Sequence, residues 1–280
     1  MPKLCLPIVL GLSFLLACSS VSATINLRFG VYTSDKPTSM VKKFRPVLRA
    51  LEQRLGARLG DSVKIRSDVA KDYATGLERL VRGDVDFSRF GPASYIVARQ
   101  RNERIKVIAM ERRYGGKVFY GVICVAQDTP IQRVEDLRGQ RFAFGNERST
   151  IGRYLAQKLL LAHGLHSSDL AGFAYLGRHD KVVASVAAGQ FDAGAVKEST
   201  YRKALKAGAK LRVLARFENV TKPWVAAGHL KLPIRSALRN VLLAFDAKEP
   251  LAILKVGGFI AGNNSDYADI REAMTESRRF

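Results

Sequence analysis

The stretch RFAFGNERSTIG, residues 141–152, takes the chain from a strand into a helix. Residues 141–145 have the apolar character of a strand, and leucines recur at helical spacing over 155–160. We therefore expect Ser149 and Thr150 at a helix N-terminus, where unpaired backbone N–H groups and the positive end of the helix dipole favour an oxyanion. The alternative is that one of these hydroxyls only caps the helix, as Ser and Thr often do.

Around this stretch, short apolar strands alternate with amphipathic helices. In the first half, strands are predicted over 27–31, 63–65, 85–87, 105–110 and 119–126, and helices over 41–55, 72–81 and 92–99. After residue 140 the pattern restarts, with strands near 142, 173 and 192 and over 211–216, and helices from Thr150, His179 and Glu198. Alternation of this kind is typical of sheets covered by helices, and the restart predicts two α/β lobes in succession.

The sequence after residue 232 predicts only helices. Because these helices have no strands of their own, we expect them to pack on one of the two lobes. These helices are expected over 233–245, 251–254 and 265–274. Returning them to the first lobe gives lobes of residues 24–118 with 225–280 and of residues 119–224, joined by crossings near 118–122 and 217–225. Two crossings form a hinge, and a cleft between two lobes is a preferred ligand site.

The N-terminus predicts export. Residues 4–17 are apolar but too few to span a bilayer, and the small residues 21–23 form a cleavage site, so residues 1–23 are expected to be a signal peptide. A competing site ends at Cys18 in the pattern of a bacterial lipobox, which would leave a lipid-anchored protein instead of a free periplasmic one. Beyond residue 23 only Cys124 remains, so the exported chain has no intramolecular disulfide.

Composition and motifs narrow the function classes. The chain has 46 Lys and Arg against 25 Asp and Glu, a net charge of +21 that attracts anions. The basic residues are scattered, without an aromatic-and-basic stripe, so we do not expect nucleic-acid binding. Four scattered histidines do not predict a metal site, and the chain has no dinucleotide or P-loop glycine pattern. A hydrolase is not expected either, because Ser149 lies in no Gly-x-Ser-x-Gly elbow.

Four further residues are candidates for the cleft. His179 follows the Ser-Thr pair by about thirty residues and is interpreted as a switchable donor that binds an anion more strongly when protonated, or as a helix-start residue. Tyr32 and Thr33 end the first strand, where open α/β folds place ligand loops. Trp224 lies at a lobe crossing, as core or as cleft wall.

From about residue 27 to 273, the chain resembles the phosphonate, phosphite and phosphate substrate-binding proteins of ABC importers. Each matching motif is weak alone, but their shared order and spacing is specific. The motifs include Gly83-Asp84-Val85-Asp86, Phe90-Gly91-Pro92-Ala93-Ser94-Tyr95, Ser149-Thr150-Ile151-Gly152, Gly189-Gln190-Phe191-Asp192 and Pro223-Trp224.

This resemblance implies a two-lobed type II periplasmic binding fold that closes on a small oxyanion, without catalysis or a cofactor. It implies ligand contacts from Ser149, Thr150 and His179, with Phe90 as an apolar wall where the phosphonate binder has a tyrosine. The implied partner is an inner-membrane ABC permease, and we expect a monomer. The alternative is a sensory or accessory protein that uses the same pocket to signal to a membrane receptor kinase.

Two departures from the family pattern bear on the ligand. Ile151 replaces a serine, which removes one hydroxyl donor. Lys222 stands near the position of an acidic residue that receives the amino group of an aminophosphonate. Glu198 could supply a carboxylate from a neighbouring strand end, with its register shifted by about one residue. Because Lys222 would repel an ammonium group, we expect an ammonium-bearing phosphonate to bind less well than its methyl counterpart.

Overall fold

The computed structural model describes residues 24–113 and 116–280. The predicted signal peptide and Cys18 lie outside these ranges. Within them, no helix combines the length and the apolar character needed to cross a membrane.

The first part of the chain forms three parallel strands and their covering helices. Its elements are β1 (Ile25–Tyr32), α1 (Pro37–Leu59), β2 (Val63–Ala70), α2 (Tyr73–Arg82), β3 (Phe87–Arg89), α3 (Pro92–Arg101) and β4 (Lys106–Glu111). β1 lies between β2 and β3 and is parallel to both. Asp72 caps α2 by accepting a hydrogen bond from the Thr75 backbone N–H at 2.8 Å. The order of strands and helices predicted for this part is confirmed.

The second part builds a separate five-stranded sheet. It comprises β5 (Val118–Ala126), β6 (Arg141–Phe144), a π-helical turn (Thr150–Leu155) that continues as α4 (Ala156–Ala162), β7 (Gly172–Tyr175), α5 (His179–Ala187), β8 (Ala193–Lys197), α6 (Glu198–Lys206) and β9 (Leu211–Val220). The strand order is β7-β6-β8-β5-β9, with β6 parallel to β7 and β8. β5 is antiparallel to both β8 and β9. The predicted restart of the α/β pattern is confirmed.

The last part of the chain adds two strands to the first sheet, which the sequence did not predict. Its elements are β10 (Pro223–Ala226), α7 (Leu232–Leu243), α8 (Lys248–Leu254), β11 (Phe259–Ile260) and α9 (Ala268–Glu276). The first sheet thus has the order β11-β4-β10-β3-β1-β2, in which β10 is antiparallel to β3 and β4. Strands this short carry no readable alternation of polar and apolar residues.

The structure departs from the predicted division into lobes at both ends of the last segment. β10 includes Trp224, so the first lobe begins again before residue 225. At the C-terminus, the Phe280 ring packs against Phe144 of the second sheet at 5.5 Å, and its carbonyl accepts a hydrogen bond from the Ser167 N–H at 3.0 Å. The chain therefore passes between the lobes a third time, because the second lobe offers an aromatic surface that the last residue covers.

Candidate functional site

A small pocket lies between the lobes, at the carboxyl ends of parallel strands from both sheets. β1 ends at Tyr32 and β8 ends at Lys197, and both residues line the pocket. Ligands bind at this edge of open α/β sheets because loops and helix starts converge there. The lining residues are Tyr32, Tyr73, Gly91, Pro92, Phe119, Ser149, Thr150, Ile151, His179, Lys197, Asn219 and Lys222.

Four helices begin at this pocket. In the first lobe α2 starts at Tyr73 and α3 starts at Pro92, and in the second lobe the π-helical turn starts at Thr150 and α5 starts at His179. All four starting residues line the pocket. The first N–H groups of a helix have no intrahelical acceptor and carry the positive end of its dipole. The backbone alone therefore makes the pocket suitable for an oxyanion.

Both hydroxyls of the Ser-Thr pair accept a hydrogen bond from a backbone N–H group near a helix start, and both can still donate one to a ligand. Ser149 Oγ accepts a hydrogen bond from the Gly152 N–H at 2.9 Å, and Thr150 Oγ1 accepts one from the Ala93 N–H of the other lobe at 3.0 Å. Each of these bonds uses an oxygen lone pair, so the hydroxyl hydrogen is still available as a donor. Ser149 also shares a hydrogen bond with the Tyr73 hydroxyl, which leaves one hydrogen of that pair for a ligand.

Further contacts between the lobes close the cleft beside the pocket. The Ser34 carbonyl accepts a hydrogen bond from the His179 N–H at 3.3 Å. Asp35 forms an ion pair with Lys197 and accepts a hydrogen bond from the Thr200 hydroxyl at 3.2 Å. The segment after β1 is thus held against the starts of α5 and α6, which shows the closed arrangement of the two lobes.

Buried carboxylates near the pocket are held ionised by cations. Arg89 donates two hydrogen bonds to Glu111, at 2.7 and 3.0 Å, and Glu111 is fully buried. Burial alone would raise the pKa of Glu111, but Arg89, Arg113 and Lys43 together outweigh it and hold the pKa well below its usual range. Burial would also raise the pKa of Asp35, but Lys197 and the other positive charges nearby together lower it.

Burial keeps His179 neutral in this structure, which argues against the predicted protonation switch. Burial, followed by the nearby Lys197 ammonium, lowers the pKa of His179 to about 3, and Asp35 offsets only part of this. The ring is hydrogen-bonded to the Ala195 backbone, while Nδ1 has no partner among the described residues. A bond to a carbonyl needs an N–H, which assigns the proton to Nε2 and leaves Nδ1 as an acceptor.

Tyr32 and Thr33 occupy neighbouring cavities. The Tyr32 hydroxyl accepts a hydrogen bond from the Gly91 N–H at 2.7 Å and lies 3.0 Å from Ser94 Oγ, so it positions the start of α3 at the pocket. Thr33 instead lines a larger adjoining cavity between the lobes, with Lys71 and other residues, and its hydroxyl donates to the Lys71 carbonyl. Thus only Tyr32 joins Ser149, Thr150 and His179 at the pocket.

Phe90 and Trp224 lie in the core, which corrects the expected place of Phe90 on the cleft wall and decides between the two interpretations of Trp224. Phe90 is 1% exposed and packs against the Tyr32 ring at 5.2 Å. Trp224 is fully buried and stacks on Phe29 at 5.1 Å. The reason for the second placement is that β10 lies between β3 and β4, so its side chains face the covering hydrophobic layers. Of the two interpretations of Trp224, the structure supports the core.

Tyr73, Lys197 and Asn219 line the pocket, although none of them was predicted to bind the ligand. The Tyr73 ring stacks on Tyr32 with centroids 4.0 Å apart. At the end of β8 it is Lys197 that faces the pocket, because neighbouring residues of a strand point to opposite sides. Glu198 instead pairs with Arg202 and Arg216 and does not line the pocket. Only strand alternation could have favoured Lys197 over Glu198.

Comparison with known proteins identifies the family. The family model described as "ABC transporter, phosphonate, periplasmic substrate-binding protein" matches residues 29–267. The chain belongs to this family. The predicted family and the predicted class of function, a substrate-binding protein of an ABC transporter and not an enzyme, are confirmed. Family membership also places the protein in the periplasm.

Individual relatives agree with this assignment. The chain is 26% identical over 268 residues to a probable ABC transporter phosphite-binding protein, PhnD1, of Prochlorococcus marinus, covering 88% of each chain. The structure of PhnD1 in complex with methylphosphonate superposes with a TM-score of 0.81 at 24% identity, covering 91% of this chain and 99% of that one.

A second solved structure gives the same fold at lower identity. It is a binding-protein component of an ABC phosphonate transporter from Pseudomonas aeruginosa, with a TM-score of 0.78 at 18% identity, covering 92% of this chain and 87% of that one. The predicted two-lobed type II periplasmic binding fold is confirmed.

Proposed function

We propose that this protein captures a small phosphorus oxyanion in the interlobe pocket and delivers it to the permease of an ABC importer. The observation that supports this most is the convergence of four helix starts from both lobes on one pocket, at Tyr73, Pro92, Thr150 and His179. Phosphate, phosphite and phosphonates present several oxygens in a tetrahedral arrangement, which suits donors that approach from different directions. The phosphite-binding and methylphosphonate-bound relatives support the same class of ligand.

The pocket residues then have distinct roles. The Thr150 hydroxyl and the N–H groups behind it donate to ligand oxygens, and the Lys197 ammonium balances the ligand charge. His179 Nδ1 accepts, so it favours an oxyanion that retains a proton on oxygen. A phosphonate or phosphate can keep such a proton near neutral pH, whereas sulfate cannot. Sulfate has no proton to donate, so the lone pair of His179 Nδ1 would stay without a hydrogen bond when sulfate binds. His179 therefore selects phosphorus over sulfur oxyanions.

Ligand capture closes the hinge between the lobes. The two crossing segments lie side by side, since the Thr221 N–H donates to the Lys117 carbonyl at 2.7 Å. An oxyanion held by Thr150 and Tyr32 touches both lobes and favours the closed form in proportion to its greater affinity for that form. Small-angle scattering should show compaction when methylphosphonate is added, and an unchanged profile at saturation would contradict closure.

Calorimetry with a panel of small anions tests the ligand class. Phosphate, phosphite and methylphosphonate should bind, and sulfate and taurine should bind at least about tenfold less tightly, a difference of about 1.4 kcal/mol. Equal binding of sulfate would remove the proposed role of His179. Failure of every phosphorus oxyanion to bind would refute the proposed function.

Transport and signalling can be separated in the organism. A strain that lacks the gene should lose uptake of the bound oxyanion, and restoring the gene should restore uptake. If uptake persists while a transcriptional response to the ligand is lost, the sensory alternative is favoured. All residues of the pocket come from one chain, so we also propose that the protein acts as a monomer; light scattering on the purified protein checks this.

A further inference from the structure

The charged side chains around the pocket are unbalanced. Within residues 24–113 and 116–280, the groups that interact electrostatically there include five cations and two carboxylates, an excess of three positive charges when all are ionised. They are Lys43, Arg89, Arg113, Lys197 and Lys222, with Asp35 and Glu111.

Both carboxylates are already engaged. Asp35 pairs with Lys197, and Glu111 pairs with Arg89 at 2.7 Å and with Arg113 at 3.5 Å. Lys222 forms no ion pair with any residue of the described chain. Its Nζ lies 5.7 Å from the centroid of the Phe119 ring, and the side chain lines the pocket.

Lys222 is accompanied by a buried amide that lacks a partner. Asn219 is 3% exposed, and neither its side-chain oxygen nor its nitrogen has a hydrogen-bond partner among the described residues. Asn219 lies opposite Phe119 in the β5–β9 pair, and Lys197 lies opposite Gly121 in the β5–β8 pair. Because residues two apart in a strand share a face, Asn219 and Lys197 project from the same face of the sheet.

The pocket therefore has two polar sides built from different elements. One side consists of helix starts with the Ser-Thr hydroxyls, and the other consists of Lys197, Asn219 and Lys222 at the hinge end of the second sheet. We propose that this second side is an anion subsite, so that the protein prefers a phosphorus oxyanion with a second negatively charged group, such as a phosphonocarboxylate. This inference rests on the proposed function and specifies its substrate class.

The charge of such a ligand has the sign that the imbalance requires. A phosphonocarboxylate that keeps one proton on its phosphonate group, as the acceptor at His179 favours, carries two negative charges and offsets part of the excess of cations over carboxylates. Burial, followed by Arg89 and Lys197, lowers the pKa of Lys222 well below its usual range, and Glu111 offsets only part of this. An anion bound beside Lys222 would raise that pKa again, so the ammonium form and the ligand stabilise each other.

The inference is tested on the unmodified protein with two ligands of nearly equal shape. Phosphonoacetate carries a carboxylate where phosphonoacetamide carries an uncharged amide. Calorimetry should show that phosphonoacetate binds at least about tenfold more tightly, and that aminoethylphosphonate binds more weakly than either. Equal affinities for the acid and the amide, with methylphosphonate still bound, would overturn the second subsite and leave the proposed function standing. If none of these phosphonates binds, both the second subsite and the proposed function are refuted.

A substitution at Lys222 tests whether this residue causes the preference for a ligand with a second negative charge. Lys222→Gln should reduce the ratio of phosphonoacetate to phosphonoacetamide affinity to about one, because it removes the charge that distinguishes the two ligands. Lys210→Gln, which changes an exposed lysine outside the pocket, should keep the ratio of the unmodified protein. A ratio that survives Lys222→Gln in folded protein would overturn the role of Lys222.

Discussion

Two buried polar regions that lie close to each other differ in how far their polar groups are paired within the protein. Arg89 and Glu111 satisfy each other with two hydrogen bonds, and the arginine also lies 5.5 Å from the centroid of the Phe44 ring. At the pocket, Asn219 and His179 Nδ1 are buried without hydrogen-bond partners among the described residues. The first region is complete within the protein, whereas the second still has unused polar groups.

The difference separates a structural role from a binding role. Buried polar groups in native proteins nearly always have partners, so unpaired ones that also line a pocket favour a place where another molecule completes the arrangement. A paired buried charge instead costs stability when one partner is removed, because the other stays buried. Changes at Arg89 should therefore affect folding, and changes around the pocket should affect binding.

The largest expected effect is on stability. Arg89→Met should lower the free energy of unfolding by about 3–5 kcal/mol, because it leaves the buried Glu111 carboxylate with Arg113, at 3.5 Å, as its remaining ion-pair partner. Urea denaturation measures this. Arg82→Met, which removes an exposed pair with Glu78, is the matched control and should cost less than about 1 kcal/mol. A loss at Arg89 no larger than the control would abolish the distinction between the two regions.

The next effect is on ligand affinity. Thr150→Val keeps the shape of the side chain but removes its hydroxyl, and should weaken methylphosphonate binding by about 1–3 kcal/mol. Calorimetry gives the affinity, and a melting curve checks the fold. Ser168→Ala, at an exposed hydroxyl away from the pocket, should leave the affinity unchanged. Unchanged affinity in Thr150→Val would reduce this residue to an interlobe contact with Ala93.

A smaller effect is the uptake of protons on binding. Burial, followed by repulsion from Arg89, lowers the pKa of Lys43 to about 7, although Glu111 partly opposes this. A bound anion raises that pKa, so near neutral pH binding should take up about half a proton at Lys43, and affinity should fall as the pH rises above 7.

Calorimetry in buffers with different ionisation enthalpies measures this uptake. Lys43→Met should abolish the contribution of Lys43, and a comparison with the unmodified protein cancels the ionisation of the ligand itself. Equal proton uptake in both proteins would show that Lys43 is not linked to the pocket.

The smallest expected effect is at His179. Because its pKa is about 3, His179 stays neutral from about pH 5 to 8 and contributes no slope to the pH dependence of affinity. His179→Gln should change the affinity but give a pH profile parallel to that of the unmodified protein. A flatter profile in the variant would show that the imidazole titrates in the pocket after all.

The sequence was most informative where structure depends on near neighbours. The strands and helices around Ser149 follow from alternation at periods of two and 3.6 residues, which are local properties. The helix predicted to begin at residue 72 likewise has a local cause, since Asp72 caps it. In contrast, β10 and β11 have four and two residues, and only their pairing partners in the first sheet make them strands.

The sequence alone thus determined the α/β class, the two-lobed plan, the Ser-Thr helix start and the strong positive charge. Tertiary structure decided which side chains meet. It placed Trp224 in the core, brought Tyr73 and Lys197 to the pocket, and held His179 neutral. The physical reason is that burial, electrostatic interaction and a completed hydrogen bond all depend on residues distant in the chain, and such contacts exist only once both lobes have folded and closed.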